Sequence, residues 1–350
     1  MKWDKIKNFL IVLLLVVDIF LGVTLLLQYR NINYVSSGNL QRLSQLVSDN
    51  VEIPPGILPA KKQQGIIYGG SYPDDYFETV AHLLSGGAEA SSYVTPNGMS
   101  IVTGSGSTDT YEFTYPFGFK YVYRSSDPSG IFEIDPGYIS ELPEVDFVRA
   151  LQIKNTVKKF LYADGALNGP DVPVGLRIRL EFGGVRYDAP RELYITTVAQ
   201  YVGGQPVYGC EAVVAVKNSK VVYVSGNLIL CNLDESRNRE LRDQVNLMLL
   251  ESHDLGGSGA VAETLPVADG ETENGKPPQQ KTAADPEPPH RNEISPAADE
   301  RYVLTSAESC LCITWYATRA KFYLLPGWKF TYNDSVVRVR NSLNGDIYTK

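Results

Sequence analysis

Apolar residues dominate the start of the chain. From Phe9 to Leu27 it reads FLIVLLLVVDIFLGVTLLL, nineteen residues with one charge. At about 1.5 Å rise per residue such a run crosses a hydrocarbon layer of roughly 30 Å, so it predicts a transmembrane helix over 9–29. Gln28, Tyr29, Arg30 and Asn31 follow, without a small-x-small site, which predicts an uncleaved anchor rather than a signal peptide. Lys2, Lys5 and Lys7 precede the run and Arg30 closely follows it. That asymmetry places residues 1–8 in the cytoplasm and the remaining chain outside the cell membrane, a single-pass arrangement. Eight cytoplasmic residues cannot form a catalytic domain.

Asp18 breaks the apolar pattern at its centre, where a carboxylate costs about 2.5–3.5 kcal/mol and normally faces another helix or a wet cavity. Leu14, Asp18, Gly22 and Leu25 fall on one helical stripe. A small residue one turn from a hydrogen-bonding side chain suits close approach of a partner helix. A pilin-like reading fails, because no Gly processing site precedes the apolar run.

Beyond the span, Leu40, Leu43, Leu46 and Val47 recur at helical spacing within 38–50, and Pro54-Pro55 forbids continuation. Residues 66–124 are rich in Tyr, Thr, Ser and Gly and predict strands and turns, with one helix at 74–84. The segment 143–162 predicts a helix with Pro143 in its first turn and Val148, Leu151, Val157, Phe160 and Leu161 on one face. Strands at 174–183, 193–202, 207–216 and 221–230 predict an antiparallel meander turning at Asn218-Ser219. A helix at 237–252 presents Leu241, Val245 and Met248. Strands return after 301, with a hairpin turn at Asn344-Gly345. A short echo links KNSKVVYV at 217–224 with YNDSVVRV at 332–339, suggesting two helix-plus-meander units.

Together these elements predict an α+β chain: a single N-terminal transmembrane helix and an extracytoplasmic ectodomain of antiparallel meanders packed with helices. The expected divisions are 30–140, 141–255, an acidic Pro-rich insertion at 256–300, and C-terminal strands at 301–350.

Composition adds to this picture mainly through charge. The 350 residues carry 32 Lys+Arg and 40 Asp+Glu, a net −8, which argues against nucleic-acid binding. Nine Asp/Glu and three Lys/Arg lie within 256–300, so −6 of the −8 belongs to a stretch with seven Pro and no aromatic residue. Such a stretch cannot bury enough apolar surface to offset ordering entropy and predicts a disordered loop.

Chemistry-bearing motifs are scarce. His82, His253 and His290 are too few for a His-rich metal site. With a turn at 218–219, Cys210 faces Asn227, leaving Cys231 roughly 13 Å away along the strand, beyond the ~7 Å disulfide limit. Cys310 and Cys312 share one strand face; they allow pairing with the others or, equally, four free thiols. Gly69-Gly70, Gly86-Gly87 and Gly203-Gly204 lack the context of a phosphate loop and read as turns. Asp74-Asp75 opens a helix and reads as a cap rather than a glycosidase half-site. Nothing predicts an enzyme, a cofactor or a metal.

The opening MKWDKIKNFLIVLLLVVDIFLG resembles the start of the YycH/YycI family of regulatory proteins of low-GC Gram-positive bacteria, which begin with a Trp- and Lys-containing tip and an apolar helix interrupted by one polar residue. The closing LLPGWKFTYNDSVVRVRNSLNGDIY is similar to that family's final strands and Asn-x-x-x-Gly-Asp turn. Length without the insertion and the Trp3-x-Lys5 opening favour the YycI type, while the insertion departs from the pattern. The resemblance implies a non-enzymatic accessory regulator of the cell-wall sensor histidine kinase WalK (YycG), acting beside a YycH-type protein through its transmembrane helix. Leu14, Asp18, Gly22 and Leu25 would be the docking stripe, with homo- or hetero-oligomers open. The alternative is a tethered ectodomain that binds envelope peptides or glycan, or inhibits a hydrolase.

Overall fold

The computed structural model describes residues 3–47, 49–71, 75–85, 90–94, 100–104, 109–114, 117–123, 133–256, 301–316 and 321–348. All but the first residue of the acidic stretch at 256–300 lies outside them, as do Asp74 and Gly86-Gly87.

The chain opens with α1 (Trp3–Asn33) and α2 (Ser37–Leu46), followed by β1 (Val51–Glu52), β2 (Ile66–Ser71) and α3 (Tyr76–Leu84). Strands β3 (Ala90–Val94), β4 (Ser100–Gly104), β5 (Asp109–Thr114) and β6 (Gly118–Tyr123) form an antiparallel run. Helices α4 (Pro136–Glu141) and α5 (Phe147–Leu161) precede β7 (Arg179–Phe182), β8 (Arg186–Asp188), β9 (Leu193–Val202), β10 (Gln205–Lys217), β11 (Lys220–Asn227) and β12 (Leu233–Asn238). Helix α6 (Gln244–Gly256) leads to the acidic stretch, after which β13 (Tyr302–Tyr316), β14 (Lys321–Tyr332) and β15 (Val336–Asn341) close the fold. The fold is thus α+β with a largely antiparallel sheet and one long apolar N-terminal helix.

Helix starts follow local chemistry. Ser36 Oγ accepts from Asn39 N at 3.2 Å, Asp146 Oδ1 from Arg149 N at 3.0 Å, and Asp243 Oδ1 from Asn246 N at 2.9 Å. Asp146, not Pro143, therefore starts α5. Pro143 and Glu144 stay extended instead: the Pro143 carbonyl accepts from Tyr187 N at 3.0 Å and Glu144 bridges to Arg186. The buried face of α5 also differs from expectation. Ile153, Val157 and Leu161 are buried, whereas Val148 and Leu151 are 64% and 49% exposed. Asp75 stands at the N-cap of α3, but its carboxylate accepts from the Thr79 hydroxyl at 3.2 Å rather than capping a backbone N–H.

Asn218 and Ser219 both take positive φ, 49° and 61°, as a two-residue hairpin turn requires, and Asn333-Asp334 repeats this between β14 and β15 at 48° and 59°. The echo in the sequence is thus a repeated hairpin. A bulge between Ala215 and Val216 moves the β10–β11 register by one, so Ala215 faces Tyr223 rather than Val222. The expected strand at 174–183 is a 3-10 turn at Val174–Leu176 followed by β7, and the expected start of α6 near 237 is occupied by β12. Gly69-Gly70 is not a turn but lies inside β2. A Cβ at Gly70 would come within 2.5 Å of Phe322, so the neighbouring strand's aromatic ring excludes any side chain there.

The strands form one hydrogen-bonded network in the order β12-β2-β14-β13-β10-β11-β6-β5-β4-β3. Its two halves meet through a single parallel bridge, Val207 on Leu311. One core packs α3 and α5 against β5, β6, β10 and β11, with Tyr111, Val157, Val214 and Val224 nearly solvent-free. A second packs α2 and α6 against β13 and β14, through Leu43, Leu247, Met248, Trp328, Phe330 and Tyr332. Burying each such side chain contributes about 1.5–3 kcal/mol.

Candidate functional site

Within α1, Ile11–Gln28 is long and apolar enough to cross a membrane, and none of it is buried by the rest of the chain. Leu14, Asp18, Gly22 and Leu25 lie on one stripe of it. Leu14 and Leu25 are 55% and 63% exposed, and a Cβ built on Gly22 would meet nothing within 4 Å. The stripe therefore meets nothing else in the described chain, as is true of every face of this span. Thr24 on a neighbouring face is turned inward, its hydroxyl donating to the Phe20 carbonyl at 2.8 Å.

The root of α1 is built into the second core. Lys62 N donates to the Asn33 carbonyl at 2.8 Å, Val35 N donates to the Ala60 carbonyl at 2.8 Å, and Tyr34 bridges Lys61. Val35 is buried beside α2. The strap at 59–64 is in turn held from two sides. Gln244 on α6, fully buried, donates through Nε2 to the Pro59 carbonyl at 2.6 Å. Gln63 Nε2 lies 2.9 Å from Gln205 Oε1, 2.8 Å from the Cys310 carbonyl and 3.0 Å from the Gly327 carbonyl, while Gln63 Oε1 accepts from the Ser342 hydroxyl at 2.8 Å. A displacement of the strap would thus reach α1 through backbone hydrogen bonds, without a flexible linker between them.

A buried ion-pair network locks α6 to β15. Glu251 has no exposed surface and pairs with both Arg338 and Arg340, and Arg340 also pairs with Asp254 one turn along α6. Arg340 Nη1 donates to the Gly345 carbonyl at 2.7 Å. Burial opposes the charge on Arg340, but Glu251 and Asp254 outweigh it and hold the guanidinium pKa above its ordinary value.

Arg338 and Arg340, two apart, share a strand face, but nothing in the sequence pointed to their partners. The sequence offered no signal at all for Gln63 or Gln244.

None of the four cysteines is in a disulfide, and Cys210, Cys310 and Cys312 are buried. A hydrogen bond with Cys310, followed by burial, pushes the Cys312 thiol up; burial pushes the Cys231 thiol up. Thiolate is the reactive form. Iodoacetamide at pH 8 is therefore expected to modify the native protein at least about tenfold more slowly than the urea-unfolded chain. Mass-spectrometric counting of modified Cys312 checks this, and equal rates would contradict the packing. Among the described residues no group of three or more His, Cys, Asp or Glu is arranged to hold a metal ion.

Neither a protein-family model nor a curated protein sequence matches the chain.

Proposed function

We propose that the protein is a membrane-anchored, non-enzymatic regulator of a WalK-type cell-wall-sensing histidine kinase, working beside a YycH-type protein through contacts between transmembrane helices. The observation that carries this reading is the architecture of α1: an exposed apolar helix with Asp18 and Gly22 on one stripe, rooted by backbone hydrogen bonds in the ectodomain core. The N-terminal tip and the closing strands, which resemble the YycH/YycI family, supply the identity of the kinase. In this reading α1 spans the cell membrane with its N-terminus inside, and the state of the ectodomain biases the arrangement of helices that sets kinase activity.

The full-length protein carrying Asp18→Leu with Gly22→Leu is expected to lose about tenfold in co-purification with a WalK-type kinase from detergent-solubilised membranes, equivalent to roughly 1–2 kcal/mol of helix association. Undiminished recovery of the kinase would remove the stripe from the mechanism. Full function after replacing 9–29 with an unrelated apolar helix would instead favour the tethered binding domain.

A further inference from the structure

The two halves of the sheet do not meet along a continuous seam. On its edge away from β14, β13 pairs with β1 at Tyr302 and Val303 and with β10 at Leu311. Among the described residues no strand pairs that edge between these points. Backbone N–H and C=O groups of such an edge are a template for another extended chain. A cleft of about 530 Å³ opens along this stretch, within the range of binding pockets. Its walls are the strap at 59–64 and the β9–β10 hairpin tip at 203–206, and its floor is formed by Ala307–Ser309 and Trp328.

Three further features describe an occupant. Trp328, 2% exposed, lines the cleft, and its buried indole Nε1 has no hydrogen-bond partner, a costly state. Gln64 and Gln205 add amide groups that can donate and accept. Lys61, exposed on the strap, brings positive charge to the cleft, while the lining carboxylate, Glu308, is paired with Lys329 at 3.8 Å.

We infer that this cleft binds an extended acidic peptide segment, which adds as a short strand to the unpaired edge of β13 and turns a carboxylate toward Lys61. The unpaired strand favours a peptide over a lipid phosphate, which would need only a lysine. The seat adjoins the strap that hydrogen-bonds to Asn33 and Val35, so an occupant contacts the element that holds the root of α1. The inference does not depend on which partner α1 meets in the membrane, and its test involves no kinase.

The full-length protein in detergent micelles is titrated with fluorescein-labelled Thr-Glu-Val-Glu-Val-Thr, blocked at both ends, and with its Lys-for-Glu counterpart, while hydrogen exchange is followed by mass spectrometry. The acidic peptide is expected to bind saturably and to slow exchange at Ser306–Ser309. Lys61→Glu should weaken it about tenfold, and N-methylation of alternate peptide amides should abolish binding. Ser309→Trp, which fills the cleft from a half-buried position, should block binding in a protein whose thermal unfolding is otherwise unchanged. No saturable binding, equal binding of the two peptides, or binding without protection at 306–309 would overturn the inference. So would retained binding by a folded Ser309→Trp protein, or protection of those amides by phosphatidylglycerol vesicles in place of the peptide.

Discussion

Glu251→Ala is expected to cost about 3–5 kcal/mol of stability, a large share of the roughly 5–15 kcal/mol that holds a typical protein folded. Glu251 has no exposed surface and takes both Arg338 and Arg340. Removing it leaves Arg340, itself 3% exposed, with only the partly exposed Asp254 to balance a buried charge. The penalty comes from the orphaned guanidinium rather than from the lost attraction. Replacing Glu251, Arg338 and Arg340 together by Leu or Met should therefore recover most of the loss, because no buried charge remains uncompensated and Asp254 is partly exposed. Asp254→Ala should cost no more than about 1 kcal/mol, since that carboxylate is 41% exposed and solvent screens it. Urea unfolding in detergent micelles, read as the midpoint at constant slope, separates these outcomes. A triple variant no more stable than Glu251→Ala would show that the cost was one of packing.

Gln63→Leu is expected to cost about 2–4 kcal/mol, and Gln63→Glu more at neutral pH. The Gln63 amide faces three acceptors, the Gln205 side-chain oxygen and the carbonyls of Cys310 and Gly327. Leucine leaves these without their donor at the margin of a cleft that water reaches in part. A glutamate adds an anion facing the same oxygens, which raises its pKa in the folded state above the ordinary value of about 4.3. A carboxyl group with a raised folded pKa binds its proton more tightly when folded. The Gln63→Glu protein should therefore lose stability as pH rises from about 4 through that raised pKa, and regain it on acidification. Comparing unfolding midpoints of the two variants from pH 4 to 7.5 checks the sign, and a constant difference would show that residue 63 does not face the oxygens. Because Gln63 ties the strap to β10, β13, β14 and Ser342, both variants should also raise amide exchange at Val35 and Lys62, where the strap holds α1.

Much of the local structure was legible along the chain. The nineteen apolar residues at 9–27 marked α1, the helix at 74–84 is present as Tyr76–Leu84, and Asn218-Ser219 turns as its composition demands. These features depend on neighbours a few positions away, and short-range propensity and periodicity describe them well. Errors arose where a distant segment set the outcome. Gly69-Gly70 resembles a turn in isolation, but Phe322 and Glu235 press on it within a strand. Val148 and Leu151 fit an apolar stripe, yet α5 rolls to bury Ile153 instead, because the sheet beneath it accepts Ile153, Val157 and Leu161. Pro143 fits the first turn of a helix, but Tyr187 claims its carbonyl for an extended segment.

An apolar helix at the start of the chain, a stripe of it shared by Asp18 and Gly22, and an α+β fold with antiparallel hairpins were all readable along the chain. Those properties come from hydrophobicity and spacing, which need no partner to be read. How α1 is rooted, what neutralises Arg340, and where the sheet leaves an edge open depend instead on the folded arrangement. Gln63 meets Cys310, Gly327 and Ser342 across 247, 264 and 279 positions, and Glu251 meets Arg340 across 89. Partners so far apart leave no periodic trace in the chain, since their encounter is set by how the two halves of the sheet pack together.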